Sequence, residues 1–182
     1  MTGSASVDLD EYLAALPARQ LTAPRSYAPK LYQVSRWPLL KDFNGFTGVE
    51  RRRGGQLAGW LLAAGCITMP TLCEVCGSRG PLSLHGECYY DVTRDPALCR
   101  SCHRALHLRP YHWKAWREIV EASANTGREW FALAPMHGLD LAQHLLGQFG
   151  WGVADIERSP LMPLPDFIAG RLPGNMLQHP HL

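Results

Sequence analysis

Apolar positions recur at helical spacing near the start of the chain and again before its centre. Residues 7–16 predict a short helix that ends before Pro17, because proline cannot continue a helix. Residues 55–64, GQLAGWLLAA, predict a second, apolar helix with Gly65 as its C-terminal cap. Three consecutive arginines, residues 51–53, immediately precede this helix, and they suit either a solvated surface run or contacts to phosphate.

The pattern becomes helical again after Pro110. Residues 111–124 carry a stripe of large apolar side chains that is expected to face a core. These side chains are Trp113, Trp116, Ile119 and Val120. Residues 127–134 predict a short helix, and residues 139–149 predict an amphipathic one. The tail from residue 159 contains five prolines and is expected to be extended.

The centre of the chain alternates apolar and polar positions with the period of a β-strand. Residues 82–85, LSLH, predict a short strand, and residues 89–92 are expected to be its antiparallel partner. Residues 102–109 suit one or two helical turns. The central order is therefore strand, strand, helix in an otherwise helical chain, which predicts a mostly helical α+β fold.

Composition and charge narrow the class of protein. The chain has 182 residues, of which 46% are hydrophobic and 19% charged, as in a globular protein. Its net charge of +2 gives no strong overall field. Fifteen of the eighteen basic residues are arginine, which suits bidentate phosphate contacts, although a GC-rich genome gives the same bias. Residues 129–182 hold two basic and five acidic side chains, so a nucleic-acid face is expected before them.

Two C-x2-C pairs are the strongest chemical signal in the chain. Paired thiolates at this spacing can each hold one side of a tetrahedral zinc ion. The pairs are Cys73 with Cys76 and Cys99 with Cys102. One structural zinc on these four cysteines would replace the large hydrophobic core that so short a module lacks. Of the remaining cysteines, Cys66 is expected in the core, whereas a role for Cys88 near the metal stays open.

Three histidines accompany the cysteines. His103 and His107 follow the second pair at positions i and i+4 of the predicted helix, so they share one face. His85 ends the predicted strand. The three can converge on a second divalent cation, or they can have a purely structural role beside the zinc.

The segment as a whole resembles the HNH, or ββα-metal, nuclease family. Members of this family often carry a four-Cys zinc ribbon that flanks two strands and a helix. The residues on the family pattern are Cys76-Gly77, Leu84-His85, Leu98-Cys99, Cys102-His103 and His107. The resemblance covers about 40 of the 182 residues. It implies a second divalent ion, magnesium, manganese, nickel or zinc, on the three histidines, where it would stabilise charge on a phosphate.

The resemblance is incomplete at the position of the general base, which must deprotonate the attacking water. Gly86 stands where the family has its base, and Glu87 is the nearest replacement, although on a strand it points to the opposite face. Asp95 is the nearest match to the family's central asparagine. An alternative register makes His85 the base and leaves Leu84 at a ligand position. The run His85-x-Glu87-x-Tyr89 also resembles a variant seen in bacterial HNH-like proteins. The catalytic candidates are His85, Glu87, His103 and His107.

Three functions follow from these residues. The first is a zinc-stabilised, HNH-like nucleic-acid-binding protein, a degenerate nuclease for which DNA is the expected partner. Its phosphate contacts would come from Arg100, Arg104, Arg109, Lys114 and Arg117. The second is an active metal-dependent HNH endonuclease. The third is a protein–protein adaptor, with the zinc ribbon as scaffold and the extensions rich in proline and aromatic residues as contact surfaces.

The predicted organisation has four parts. They are an N-terminal extension (1–69), the zinc module (70–110), a helical part (111–158) and a proline-rich tail (159–182). Residues 17–54 are expected to be irregular. The longest apolar stretch, residues 57–69, is too short to cross a bilayer, and the N-terminus lacks the pattern of a signal peptide. A cytoplasmic protein with no membrane partner is therefore expected.

Overall fold

The computed structural model describes residues 7–25, 40–123, 130–134, 139–149 and 164–171. These ranges hold seven α-helices and one two-stranded sheet, which confirms the predicted mostly helical α+β class. The helices are α1 (Leu9–Ala15), α2 (Gly48–Ala63), α3 (Arg100–Leu108), α4 (Trp113–Ala122), α5 (Trp130–Leu133), α6 (Leu141–Phe149) and α7 (Asp166–Ala169). The strands are β1 (Leu82–Leu84) and β2 (Ala97–Cys99).

The chain forms two compact units, each assembled from separated stretches of sequence. The first comprises Met1–Pro17, Pro70–His85 and Pro96–Leu139. The second comprises Ala18–Met69, Gly86–Asp95 and Asp140–Leu182. The ten residues Gly86–Asp95, which follow His85 in the sequence, therefore belong to the second unit. The four-part division expected from the sequence stays a prediction.

The sheet of the first unit pairs β1 with β2. The strands are antiparallel, with Leu82 opposite Cys99 and Leu84 opposite Ala97. Ala97 and its neighbour Leu98 are fully buried, so β2 contributes its apolar side chains to the core. The predicted first strand is confirmed.

The predicted partner strand at residues 89–92 is wrong. That stretch leads into a short 3₁₀ turn, Val92–Arg94, in the second unit. The Asp91 carboxylate caps this turn by accepting hydrogen bonds from the backbone N–H and the hydroxyl of Thr93, at 3.0 and 2.6 Å. An aspartate that bonds its own neighbours in this way favours a turn over a strand ladder.

The first unit also contains helices before and after the two strands in sequence. α1 confirms the helix expected at residues 7–16, and the Asp8 carboxylate caps it by accepting from the backbone N–H groups of the next turn. α4 contacts α5 through the indole N–H of Trp116, which donates to the carbonyl of Phe131 at 3.3 Å. Trp116 and Val120 are buried, as the apolar stripe predicts, whereas the stripe's other two members are half-buried.

In the second unit, α2 begins earlier than the sequence suggests. The Thr47 hydroxyl and the Glu50 carboxylate form a capping box, so the helix starts at Gly48 rather than near residue 55. The three arginines at 51–53 therefore lie inside the helix. At Gly54, inside this helix, a Cβ would lie 3.1 Å from the ring of Tyr89, so a larger residue would require that ring to shift.

Just before α2, an Asn44-Gly45 pair forms a tight turn within the segment expected to be irregular. Phe43 and Phe46 exchange two backbone hydrogen bonds of 3.0 Å across it. Both turn residues have positive φ, 51° and 79°, as in the two-residue hairpin turn that Asn-Gly sequences favour. A Cβ on Gly45 would also collide with the carboxylate of Asp140.

The C-terminal predictions are only partly within the described residues. α6 confirms the amphipathic helix expected at 139–149, and α5 confirms the end of the one expected at 127–134. In the predicted extended tail, the described residues 164–171 contain α7 instead, and the rest of the tail lies outside the described ranges. Among the helices described, none has the length and apolar character needed to cross a membrane.

Candidate metal centres and basic groove

The four cysteines of the two C-x2-C pairs come together in the first unit. Their sulfur atoms all lie within 4.8 Å of one another. The Sγ atoms of Cys76 and Cys99 are 3.8 Å apart. A tetrahedron with zinc–sulfur bonds of about 2.3 Å has edges of about 3.8 Å, so the spacing fits zinc. Cys73 and Cys102 are buried, which closes the group on one side. This group fits a structural zinc.

Local structure aims these thiols at a common point. In the first pair, the backbone N–H of Gly77 donates to the carbonyl of Cys73 at 2.9 Å, and Gly77 takes the positive φ of 67° that the turn requires. In the second pair, Cys99 ends β2 and occupies the position just before α3, and Cys102 lies in the first helical turn. The N-terminal end of a helix stabilises negative charge, as thiolates carry.

Two further contacts involve the first pair. One joins it to the sheet, and the other lowers the pKa of a cysteine thiol. Glu74 joins the pair to β2, because its carboxylate accepts from the backbone N–H of Ala97 at 2.6 Å. The hydrogen bond with Cys102 lowers the pKa of Cys73 to about 4, and the same bond raises the pKa of Cys102. A lowered pKa favours the thiolate, which is the form that binds zinc.

The three histidines form a second group in the same unit. Their candidate ligand nitrogens lie within 4.8 Å of one another, so the group could hold a second metal ion. His85 is buried, and its ring is nearly perpendicular to those of His103 and His107, at 87° and 75°. His103 and His107 stack at 19° on consecutive turns of α3. Because His107 is exposed, a bound ion would keep positions open to solvent.

One hydrogen bond orients His103. The hydroxyl of Ser83, on β1, lies 2.7 Å from Nδ1 of His103, which leaves Nε2 to face a cation. Histidines that bind metals commonly use their second ring nitrogen in this way. Burial, reinforced by the charge of His85, lowers the pKa of His103 to about 4, so its ring is neutral at neutral pH.

An open groove of about 610 Å³ runs beside the histidine group. α3 contributes five residues to it, and four of these, at spacing i, i+3, i+4 and i+7, lie on one helical face. We call them the α3 stripe: Arg100, His103, Arg104 and His107. The other lining residues are Pro81, Leu82 and Ser83, from the β1 segment, and Leu108, at the end of α3. Two cationic side chains therefore alternate with two candidate metal-ligand side chains along one side of the groove.

The other predicted phosphate contacts lie elsewhere. Arg109 is only 2% exposed, and its guanidinium donates to the carbonyl of Leu106 at 3.1 Å. Arg117 is exposed and forms an ion pair with Glu121 at 2.7 Å. Lys114 is exposed on α4. Of the five basic residues predicted to meet phosphate, only Arg100 and Arg104 line the groove.

Glu87, the predicted replacement base, belongs to the second unit and to neither ligand group. Its side chain is fully buried, and its carboxylate accepts a hydrogen bond of 2.7 Å from the side-chain amide of Asn44. The same amide donates to the Glu87 carbonyl at 3.1 Å. The sequence interpretation missed Asn44, although the Asn-Gly pair between two phenylalanines signals the hairpin turn that presents it.

Two more candidates of the second unit are buried outside the ligand groups. Burial, with the nearby Asp91 charge, raises the pKa of Asp95 well above its ordinary value. Burial raises the pKa of Cys88 to about 12, so it remains a thiol. Cys66 is fully buried, as expected for a core residue.

Comparison with known proteins adds no family to these observations. No protein family, curated protein or solved structure matches the chain. The resemblance to HNH nucleases therefore rests on the motif residues of the two ligand groups alone.

Proposed function

We propose that this protein is a zinc-stabilised, HNH-like nucleic-acid-binding protein. In this proposal the four cysteines hold the structural zinc. The groove beside α3 receives the phosphate backbone, and the three histidines hold a divalent ion next to it. The observation that supports the proposal is the α3 stripe, in which guanidinium groups that can bind phosphate alternate with imidazoles that could hold a metal ion.

The chemistry of the groove suits phosphate. Arg100 and Arg104 are exposed, and none of the eight residues that line the groove is acidic. A guanidinium group can form two parallel hydrogen bonds to one phosphate, and a divalent ion binds phosphate oxygens directly. Both groups attract the same ligand, so an anion in the groove would contact them together.

Cleavage is the second candidate function, and the exposure of His107 favours it. A metal held by three protein ligands keeps coordination positions for water and substrate, as catalytic sites require. Against cleavage stands Glu87, whose carboxylate is buried and bonded to Asn44. We therefore place binding first and hydrolysis second. An adaptor role through the extensions stays a prediction.

The test is fluorescence polarisation with labelled DNA and RNA across a range of salt concentrations. The double substitution Arg100→Ala with Arg104→Ala should weaken binding and reduce the salt slope by about two, one for each lost phosphate contact. Arg79→Ala is the matched control, because Arg79 is exposed in the same unit but does not line the groove. Absence of salt-dependent binding by the wild-type protein would refute the proposal.

A plasmid-nicking assay distinguishes binding from cleavage. Supercoiled plasmid is incubated with magnesium, manganese or nickel, and the wild type is compared with His103→Ala. Nicking by the wild type that the variant loses would establish the endonuclease. Binding without nicking would establish the degenerate form.

A further inference from the structure

We infer that the groove beside α3 receives an unpaired nucleotide, so that the nucleic acid is single-stranded where it meets the histidine group. This inference rests on the proposed function and adds the class of nucleic acid. It comes from a difference between the two sides of the groove.

The side formed by α3 is polar and cationic. Arg100 and Arg104 alternate there with His103 and His107. The side formed by the β1 segment has Pro81, Leu82 and Ser83, whose hydroxyl lies 2.7 Å from Nδ1 of His103, and Leu108 at the end of α3 adds a third apolar side chain. Pro81 is exposed, and the two leucines are half-buried, so this apolar surface is accessible to a ligand. The groove therefore suits a ligand with an anionic end and an apolar face.

A duplex backbone does not have that character. Its outer surface presents phosphates and sugars, while its bases are stacked inside, so a duplex would meet the arginines and leave the apolar side uncovered. An unpaired nucleotide has both parts, because its base exposes an apolar face once it is unstacked. The size agrees, since about 610 Å³ falls within the range of about 300–1,000 Å³ typical of sites for small ligands.

The arrangement also predicts little preference among the bases. Pro81, Leu82 and Leu108 offer no hydrogen-bonding side-chain group to read a base edge, and the Ser83 hydroxyl on that side already contacts His103. Contact with a base face tolerates any sequence. The arginines of α3 would bind the phosphate that precedes or follows that base in the strand. Affinity should therefore depend on the presence of a base more than on its identity.

The experiment compares three probes of equal length, about 12 nucleotides, which is within the usual site size for single strands. They are a single strand, its blunt duplex and a single strand whose central positions are abasic. The abasic probe keeps every phosphate and loses only bases. We expect the single strand to bind severalfold more tightly than either of the others, because the base would bury apolar surface against Pro81, Leu82 and Leu108.

Substitutions on the apolar side of the groove test whether the nucleotide base lies there. Leu108→Ser should weaken the single strand severalfold and leave the abasic probe unchanged, so that the difference between the two probes shrinks. Pro81→Ser is a second variant, in case Leu108→Ser disturbs the fold, because Pro81 is exposed. Leu72→Ser is the matched control, because Leu72 is 43% exposed in the same unit but does not line the groove. Zinc content and melting temperature are checked for each variant.

The outcomes are distinguishable. Equal binding of the intact and abasic strands, or tighter binding of the duplex, would overturn this inference and leave the proposed function standing with a duplex as its ligand. Failure of all three probes to bind would overturn both. Loss of the difference between probes in Leu108→Ser and Pro81→Ser, but not in Leu72→Ser, would support the unpaired nucleotide.

Discussion

The two ligand groups of the first unit differ in how they face solvent. The cysteine group has four ligands, and its buried members, Cys73 and Cys102, close it. The histidine group has three ligands, of which His85 is buried and His107 is exposed beside a groove. Four-coordinate closed sites are typical of structural zinc, and three-ligand open sites are typical of metals that meet a substrate. The comparison predicts that the first group maintains the fold and the second serves function.

The largest expected effect comes from removing one ligand of the cysteine group. Cys73→Ala should abolish zinc binding and unfold the first unit, because the zinc–thiolate bonds supply folding free energy on the order of 10 kcal/mol in such modules. Metal analysis and circular dichroism on heating would measure this. Cys66→Ala is a control, because Cys66 is a buried thiol outside both ligand groups. Zinc retained at unchanged melting temperature in Cys73→Ala would contradict the structural role.

The next effect separates the histidine group from the fold. His107→Ala should remove the second ion while zinc content and melting temperature stay close to wild type, because His107 is exposed. Cobalt titration of zinc-loaded protein would report the ion by its visible absorption, and absence of sulfur-to-cobalt bands would show that the cysteines keep their zinc. His112→Ala, another exposed histidine, should change nothing. If His107→Ala unfolds the protein, the two groups share a structural role and the comparison fails.

Part of each ligand group could be predicted from the sequence, because C-x2-C and His-x3-His are local spacings that bring two side chains together. No local spacing joins the two cysteine pairs, which are separated by 22 residues, or brings His85 to His103, so those meetings depend on the fold. Ser83 was missed, because a polar residue on a short strand gives no signal that its hydroxyl reaches His103, twenty residues away.

Both errors in the fold involve local signals that the sequence interpretation missed. In the stretch at 89–92, Tyr89, Tyr90 and Val92 are buried in the second unit without strand pairing, and Asp91 caps a turn, as an aspartate favours. α2 was expected to start near residue 55, but the capping box of Thr47 and Glu50 starts it at Gly48. What no local signal gives is the approach of Gly54 to Tyr89, 35 residues away, where a Cβ would come within 3.1 Å of the ring.

A smaller effect tests whether the hydrogen bond from Ser83 orients the His103 ring toward the second ion. Ser83→Ala should weaken the second ion about tenfold, the lower end of what the loss of an outer hydrogen-bond partner costs a metal site. Ser83→Thr should restore most of the affinity, because it keeps the hydroxyl. Ser101→Ala removes an exposed hydroxyl from α3 and should have no effect. Equal cobalt affinity in Ser83→Ala and wild type would mean that packing alone orients His103.

The smallest effect concerns a buried group that belongs to neither metal site. Asp95 is 5% exposed, and burial, followed by the charge of Asp91, raises its pKa well above 3.8, while Arg19 opposes the shift. The native protein therefore keeps a proton that the unfolded chain releases. Because the native state binds more protons, the free energy of unfolding falls as pH rises from about 4 through the folded pKa.

Asp95→Asn should remove this loss, because asparagine stays neutral at every pH. We expect the variant to melt about 2–4 °C above wild type near pH 8, as a change of about 1 kcal/mol gives in a chain of this size, and the advantage to vanish near pH 4. Thermal melts across that range measure it, and metal content should not change. A variant equally stable to wild type at both ends would mean that Arg19 holds Asp95 ionised. A variant that lost either metal would mean that burial in the second unit supports the sites, and the contrast between closed and open groups would then no longer account for their separate roles.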